Sequence, residues 1–438
     1  MKKRYALIGT GSRSRMYVNA VCKEYTDVAE LVAINDINPT RMERMNEYIA
    51  STLNGKRVAT YGPHQFDQMI AESKPDVVIV TSMDRTHHRY ICRAMDLGCD
   101  VITEKPMTTD AEKCQQIIDT VERTGRNLTV TFNYRYSPRA TRVKEVIADG
   151  TVGDILSVHF EWLLDTKHGA DYFRRWHRDK ANSGGLLVHK ATHHFDLVNW
   201  WLGTAPERVF AMGRLGYYGR RNAEERGELE FYYRGTGSAV AKKDPFAVDL
   251  AADDNLKGMY LDAEKHDGYL RDQSVFGDGI SIEDTMGVLV QYRSKAIMSY
   301  SLNAHCPWEG FRVMFNGTKG RLEFNVVEKS YVSGSADDIN LAEQREYDEM
   351  IKGAVPIISF QPHWGRREEI TFTEAVGGHG GGDVRMLDHI FRGATDDPLG
   401  HAADYVQGAY SILTGIAANR ALATELPVDV RTLVKLPR

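Results

Sequence analysis

Cysteine is scarce in this chain and shows no pairing pattern. The 438 residues contain five: Cys22, Cys92, Cys99, Cys114 and Cys306, an odd number, scattered, with no CxxC. No disulfide framework or thiolate metal knuckle follows from that spacing, and a reduced, cytoplasmic protein is expected. Long apolar runs are also missing. Val77–Val80 is among the longest, and Val198–Leu202 is broken by Asn199; both are far short of the roughly 20 residues a bilayer requires, so no membrane partner is expected. The basic start Met1-Lys-Lys-Arg4 leads into a short apolar segment and then a glycine turn, which predicts a first strand and not a secretory leader. Charge of one sign is nowhere concentrated. A net charge of −5, with acids and bases interspersed, offers no field to hold nucleic acid.

What is present is enough chain for two cores and a composition, 42% hydrophobic and 26% charged, that is ordinary for a globular protein. Residues 1–131 alternate strand and helix. Apolar strands are predicted at 4–9, 30–35, 77–81, 100–103 and 127–132. Helices are predicted at 13–25, 39–53 (capped by Asn38 before Pro39), 87–97 and 109–124. Continuous apolar strands between helices indicate a parallel sheet covered on both faces. From residue 132 the pattern changes. After a helix over 137–148, strands alternate apolar and polar residues at 155–162, 208–215, 285–292, 296–302, 311–316 and 321–325, several joined by short turns. That is an antiparallel pattern, and residues 132–438 read as a second, α+β domain. Residues 216–278 are polar, tyrosine-rich and poorly periodic. They read as an insertion, either a lid or an oligomer contact. Residues 376–383 form a glycine-rich loop, and two amphipathic helices follow, at about 384–391 and 401–422.

The first strand ends in Gly9-Thr-Gly11-Ser12-Arg13-Ser14. Gly9 permits a tight turn, Gly11 lets a pyrophosphate approach the backbone, and Ser14 supplies the small residue that close strand–helix packing needs. The following helix would aim its N-terminal amides at the phosphates. The second strand ends at Asp36, placed for ribose hydroxyls. A carboxylate there repels a 2′-phosphate, so NAD is expected over NADP. Arg13 and Arg15 are the nearby cations that could meet a 2′-phosphate; they suit a pyrophosphate loop equally well.

After a further strand, the fourth by this reading, stands Glu104-Lys105-Pro106. With it the chain resembles the glucose–fructose oxidoreductase/inositol dehydrogenase (Gfo/Idh/MocA) family over nearly its whole length. Ser82-Met-Asp-Arg-Thr-His87 stands where that family has T-P-N-x-x-H, without the proline. Phe132-Asn-Tyr-Arg-Tyr-Ser-Pro138 resembles its entry into the second domain, and Gly150-Thr-Val-Gly153 and Gly317-Thr-Lys-Gly320 also fit. The resemblance implies a Rossmann domain, a second domain with an open, mainly antiparallel sheet, and an active site in the cleft between them. It further implies a homodimer or homotetramer through the sheet, and hydride transfer between a nicotinamide and a secondary hydroxyl of a sugar or polyol. It places Ser12, Arg13, Ser82, His87, Glu104 and Lys105 at the cofactor. Lys105, near a cationic ring and partly removed from water, is expected to have a depressed pKa and to exchange a proton with the reacting hydroxyl.

Ser183-Gly-Gly-Leu-Leu-Val-His189-Lys190-Ala-Thr-His193-His194-Phe-Asp196 stands where the family has G-G-x-L-x-D-x-G-x-H-x-x-D. His193 matches the catalytic histidine and Asp196 the acid. His189 replaces a catalytic aspartate, and Ala191 a glycine. If the segment is helical, His189 and His193, four apart, face the same way. They can bind a metal with help from His177, Asp165, His168 or Asp196, or they can form a proton relay; the family implies no metal, and none is predicted. Loss of the aspartate leaves the net reaction open. A related chemistry oxidises a sugar with bound NAD, eliminates the glycosidic bond, adds water and reduces the ketone, for no net redox. A non-catalytic nucleotide-binding protein is a third reading. Arg175, Trp176, His177, Tyr134, Arg135, Lys190 and Asp196 are expected at the substrate, with His379 as a mobile-loop contact.

Overall fold

The computed structural model describes residues 2–228, 230–332, 357–373, 378–393 and 396–436. Apolar β-branched segments form the first sheet: β1 (Lys3–Ile8), β2 (Ala29–Asn35), β3 (Ala59–Tyr61), β4 (Val77–Val80), β5 (Asp100–Thr103) and β6 (Leu128–Val130). All pair in parallel, in the order β3-β2-β1-β4-β5-β6. The order reverses between β1 and β4, which opens a crevice at the carboxyl ends of these strands. Helices Pro39–Ser51, Phe66–Ser73, His87–Asp96 and Ala111–Thr124 connect the strands. Asn38 caps the first of these through its side-chain oxygen, which accepts from Thr40 N and Arg41 N. β3 and the helix Phe66–Ser73 escape the sequence pattern, because β3 is three residues with two exposed. Lys105 therefore follows the fifth strand, not the fourth.

The second sheet holds β7 (Ile155–Asp165), β8 (Pro206–Arg214), β9 (Thr285–Tyr292), β10 (Ile297–Cys306), β11 (Glu309–Gly317), β12 (Gly320–Lys329), β13 (Ile357–Pro362), β14 (Glu368–Ile370) and β15 (Val428–Asp429). Their order is β14-β13-β12-β11-β7-β10-β9-β8-β15. One pair, β7 with β10, is parallel, and the rest are antiparallel. Val158, Phe160, Trp162 and Leu164 of β7, with Met298, Tyr300, Leu302 and Ala304 of β10, point into one core, as a two-residue period requires. Helices Thr192–Leu202 and Tyr405–Thr424 cover that face. Among the described residues, the other face carries half-exposed side chains, including Leu289 and Ile297. Among the described residues, no helix is long and apolar enough to cross a membrane.

The segment between β8 and β9 includes helix Arg220–Arg226 and several shorter pieces, among them helix Asp254–Leu256, a five-residue π-helical turn Lys257–Leu261, and helix Glu264–Asp267. The π-helical turn lies against the helix Pro39–Ser51 of the first domain, and Asp267 bonds Arg41 of that helix.

Candidate active site

The crevice at the ends of β1, β2, β4 and β5 opens into a cavity of about 1260 Å³ shared by both domains. That exceeds the roughly 300–1,000 Å³ usual for one small ligand and leaves room for a dinucleotide and a second molecule.

Its first wall is the turn after β1. Gly9 has φ +86°, and a Cβ there would stand 2.7 Å from Ser82 Cα and N and 2.8 Å from Thr81 O. Only glycine fits between the two strand ends. A Cβ at Gly11 would meet nothing within 4 Å, so the backbone there faces open space. This is the cradle a pyrophosphate needs. Ser14 lies under the turn, donating from Oγ to Gly11 O at 2.6 Å, and does not line the cavity. Ser12, Arg13 and Asp36 do line it. Asp36 accepts from Thr10 N (2.6 Å), Thr10 Oγ1 (2.9 Å) and Asn38 N (2.8 Å). The carboxylate thus braces the glycine turn as well as facing the crevice. The two arginines beside the turn have other partners. Arg13 donates to Glu104 at 2.7 Å, and Arg15 to Asn255 at 2.5 Å.

The second wall comes from the ends of β4 and β5. Both ring nitrogens of His87 stand 2.9 Å from carbonyl oxygens, of Ser82 and Pro106. His87 therefore ties the Ser82 loop to the Lys105-Pro106 segment, and it also lines the cavity. Glu104 is buried and also accepts from Tyr17 at 2.8 Å. Burial pushes its carboxyl up, but Arg13 and Lys105 outweigh that and hold it below the usual value. Lys105 lines the cavity. Burial lowers its pKa, and the attraction of Glu104 and Asp84 recovers only part of the loss.

The third wall belongs to the second domain. Helix Leu186–His189, a turn at Lys190 and helix Thr192–Leu202 carry His189, Lys190 and His193 into the cavity, opposite Lys105. His189 Nδ1 lies 2.5 Å from Asp84 Oδ2, a contact that crosses between the domains. Asp84 is buried. Burial raises its pKa to about 7, against the pull of His87 and Lys105. Burial, then Lys105 and Arg175, hold the His189 imidazole well below its ordinary value. The aspartate missing at position 189 thus has a counterpart on the Ser82–His87 loop. His177 packs edge-on to His189, with ring centroids 4.3 Å apart, and stacks on Trp176 at 3.7 Å. Lys190 lies over Trp162 at 4.9 Å, and burial lowers it to about 8. Tyr134 meets His193 edge-on at 4.7 Å.

Arg175, Trp176, His177, Lys190 and Tyr134 therefore share the cavity, as the sequence suggested. Arg135 and Asp196 do not line it. They form a bidentate pair at 2.5 and 2.7 Å in the dry interior, with the guanidinium over Phe132 and Trp200. A charge pair so enclosed has no face left for a substrate. His379 falls on the short turn Gly378–Gly381, and its side chain lies outside the described residues. Among the described residues, no three histidine, cysteine or acidic side chains are grouped to hold a metal ion. Asp165 caps helix Thr166–Arg174 and pairs with Lys329 at 2.9 Å, and His168 bonds Glu309 at 2.7 Å.

Several lining residues gave no usable signal in the sequence. Asp84 sits inside the Ser82–His87 loop, yet nothing local shows that it reaches His189. Arg41 is one of two arginines on its helix. Tyr260, Asp267, Tyr269 and Arg271 come from the aperiodic insertion.

Two family models match the chain: the oxidoreductase family's NAD-binding Rossmann fold over residues 3–132, and the same family's C-terminal alpha/beta domain over residues 144–430. The protein YteT of Bacillus subtilis (strain 168) is 35% identical over 99% of both chains. Glycosyl hydrolase family 109 protein 1 of Akkermansia muciniphila is 27% identical over 43% of this chain and 40% of its own. A crystal structure of the WlbA dehydrogenase from Bordetella pertussis, in complex with NADH and UDP-GlcNAcA, superposes with a TM-score of 0.61 at 18% identity, over 98% of this chain and 97% of that one; it shares the fold. With both halves matched in order, from a parallel nucleotide-binding sheet to a mixed second sheet, the chain belongs to the Gfo/Idh/MocA oxidoreductase family.

Proposed function

We propose that this protein transfers hydride between NAD and a secondary hydroxyl of a sugar or polyol. One observation carries the reading: Lys105 from the first domain and His189 and His193 from the second line the same cavity as the Gly9–Gly11 turn. The dinucleotide would be held by Gly9, Gly11, Ser12 and the helix start at Ser14, by Asp36 at the ribose, and by Ser82, Glu104 and Lys105 toward the nicotinamide. Bound there, it supplies the hydride acceptor.

The chain supplies the proton chemistry. Lys105, held below the ordinary lysine value by burial, accepts the hydroxyl proton as an amine and returns it as an ammonium. His193 binds the same oxygen. His189 orients the substrate and passes protons toward Asp84, whose carboxyl titrates near neutrality. Trp176 and Tyr134 offer apolar ring faces, and Arg175, His177 and Lys190 offer donors, the combination that sugars require. The domain division at 131/132, residence in a reducing cytoplasm and assembly through the open face of the second sheet complete the reading.

A second reading, net glycoside cleavage with NAD oxidised and then restored, is favoured by two separately held acid–base groups, Lys105 and His189, and by the partial likeness to a glycosyl hydrolase. Product stoichiometry decides between them. A panel of sugars, polyols and aryl glycosides is incubated with and without added NAD. Net NADH formation supports the first reading, and aglycone release without NADH supports the second. Tight NADH binding with neither product leaves a non-catalytic nucleotide-binding protein.

A further inference from the structure

The insertion closes over the nucleotide turn from the second domain. Tyr260 Oη lies 2.6 Å from Ser12 Oγ, and Asn38 donates to Ala263 O at 2.9 Å and to Asp267 at 3.0 Å. Arg41 donates to Asp267 Oδ2 at 2.5 Å and to Asp36 Oδ1 at 3.3 Å. All three side chains of this group are nearly enclosed: Arg41 10%, Asp36 7% and Asp267 6% exposed. All three line the cavity at the end of β2.

An arginine five residues past the β2 acid, in the first turn of the next helix, is placed to meet a ribose 2′-phosphate. In this chain two carboxylates share that guanidinium. One directly follows β2 and the other comes from a segment more than two hundred residues away. The group carries a net negative charge in an enclosed place, and a dianionic phosphate entering it would have to displace Asp267 and leave that carboxylate unpaired. A neutral 2′-hydroxyl needs no such displacement and can donate to Asp36.

We propose that Asp267, by occupying Arg41, makes the site selective for a dinucleotide with a free ribose 2′-hydroxyl. The coenzyme preference then lies partly in the insertion and not in the nucleotide-binding domain alone. This rests on the reading that the cavity holds a nicotinamide dinucleotide.

The test is equilibrium binding, by fluorescence titration of the full-length protein with NADH and with NADPH. Wild type is expected to bind NADH at least about a hundredfold more tightly than NADPH. Asp267→Asn frees Arg41 and raises NADPH affinity at least about tenfold while NADH affinity moves less than about threefold. Adding Arg41→Ala to Asp267→Asn erases the gain, because it passes through that guanidinium. Arg41→Ala alone, which does not depend on Asp267→Asn folding, leaves the ratio within about threefold. An unchanged ratio in Asp267→Asn, a gain that persists in the double variant, a wild type indifferent between the two coenzymes, or a loss of NADPH binding in Arg41→Ala alone would each overturn the proposal. A wild type that binds neither coenzyme would sink the underlying dinucleotide reading as well, which distinguishes the two failures.

Discussion

Gly9 and Gly11 are two residues apart and answer to different constraints. At Gly9 an added methyl collides with the backbone of Thr81 and Ser82 at a positive φ. Gly9→Ala should therefore cost about 1–3 kcal/mol of stability, read as a lowered thermal midpoint. At Gly11 the methyl meets no protein atom. Gly11→Ala should keep the wild-type midpoint yet lose NADH affinity in a direct titration. Lys105→Ala should abolish turnover while NADH binding is nearly retained. In wild type, kcat/KM for alcohol oxidation should rise with pH at values below those of an ordinary lysine, since burial lowers this amine. Asp84 has its own pH signature. Its folded pKa, raised by burial to about 7, lies above the unfolded carboxyl value of about 3.9. Its contribution to stability is thus fully present below the unfolded value and is lost as pH rises through about 7. Asp84→Asn should flatten that part of the stability–pH curve. It should also lower kcat about tenfold to a hundredfold, because an amide at this position can bond His189 but cannot exchange a proton with it. At this scale the sequence was legible where one local demand selects a residue type, as at Gly9 and Gly11, whereas Lys105 stood out only through the family resemblance of the motifs around it. It was illegible for Arg135, whose partner Asp196 lies 61 positions away.

Elements were legible in proportion to their periodicity. β9 through β12 alternate buried and half-exposed residues over eight to ten positions, and alternation alone locates them. β3, β14 and β15 are two or three residues long, too short for a period to register. The parallel pairing of β7 with β10 leaves no mark in either strand, because alternation reports faces and not direction. The insertion is the extreme case. Its short turns are held by side-chain bonds to another domain, so no local pattern encodes them. Those bonds give it a measurable job. Tyr260→Phe removes the contact with Ser12 and should speed NADH dissociation by about two- to tenfold, the value of one hydrogen bond, in a stopped-flow displacement experiment.

At the scale of the whole molecule, the nine-stranded sheet leaves one face uncovered by the described residues, with Leu289 and Ile297 about half exposed. Apolar side chains spread over a wide sheet favour a second copy. Light scattering should return a mass of two or four times 49.4 kDa, and a value of one chain would remove the oligomer reading. Both domains and their order could be read from the chain, because each carries its own periodicity. How they meet could not, since the meeting depends on pairs such as Asp84 with His189, 105 positions apart. That pair has a further consequence for synthesis. The carboxylate emerges from the ribosome with the first domain and the imidazole with the second. On the proposed reading, a nascent fragment that stops short of His189 holds no complete proton relay. Reactivity switches on only when the finished halves dock.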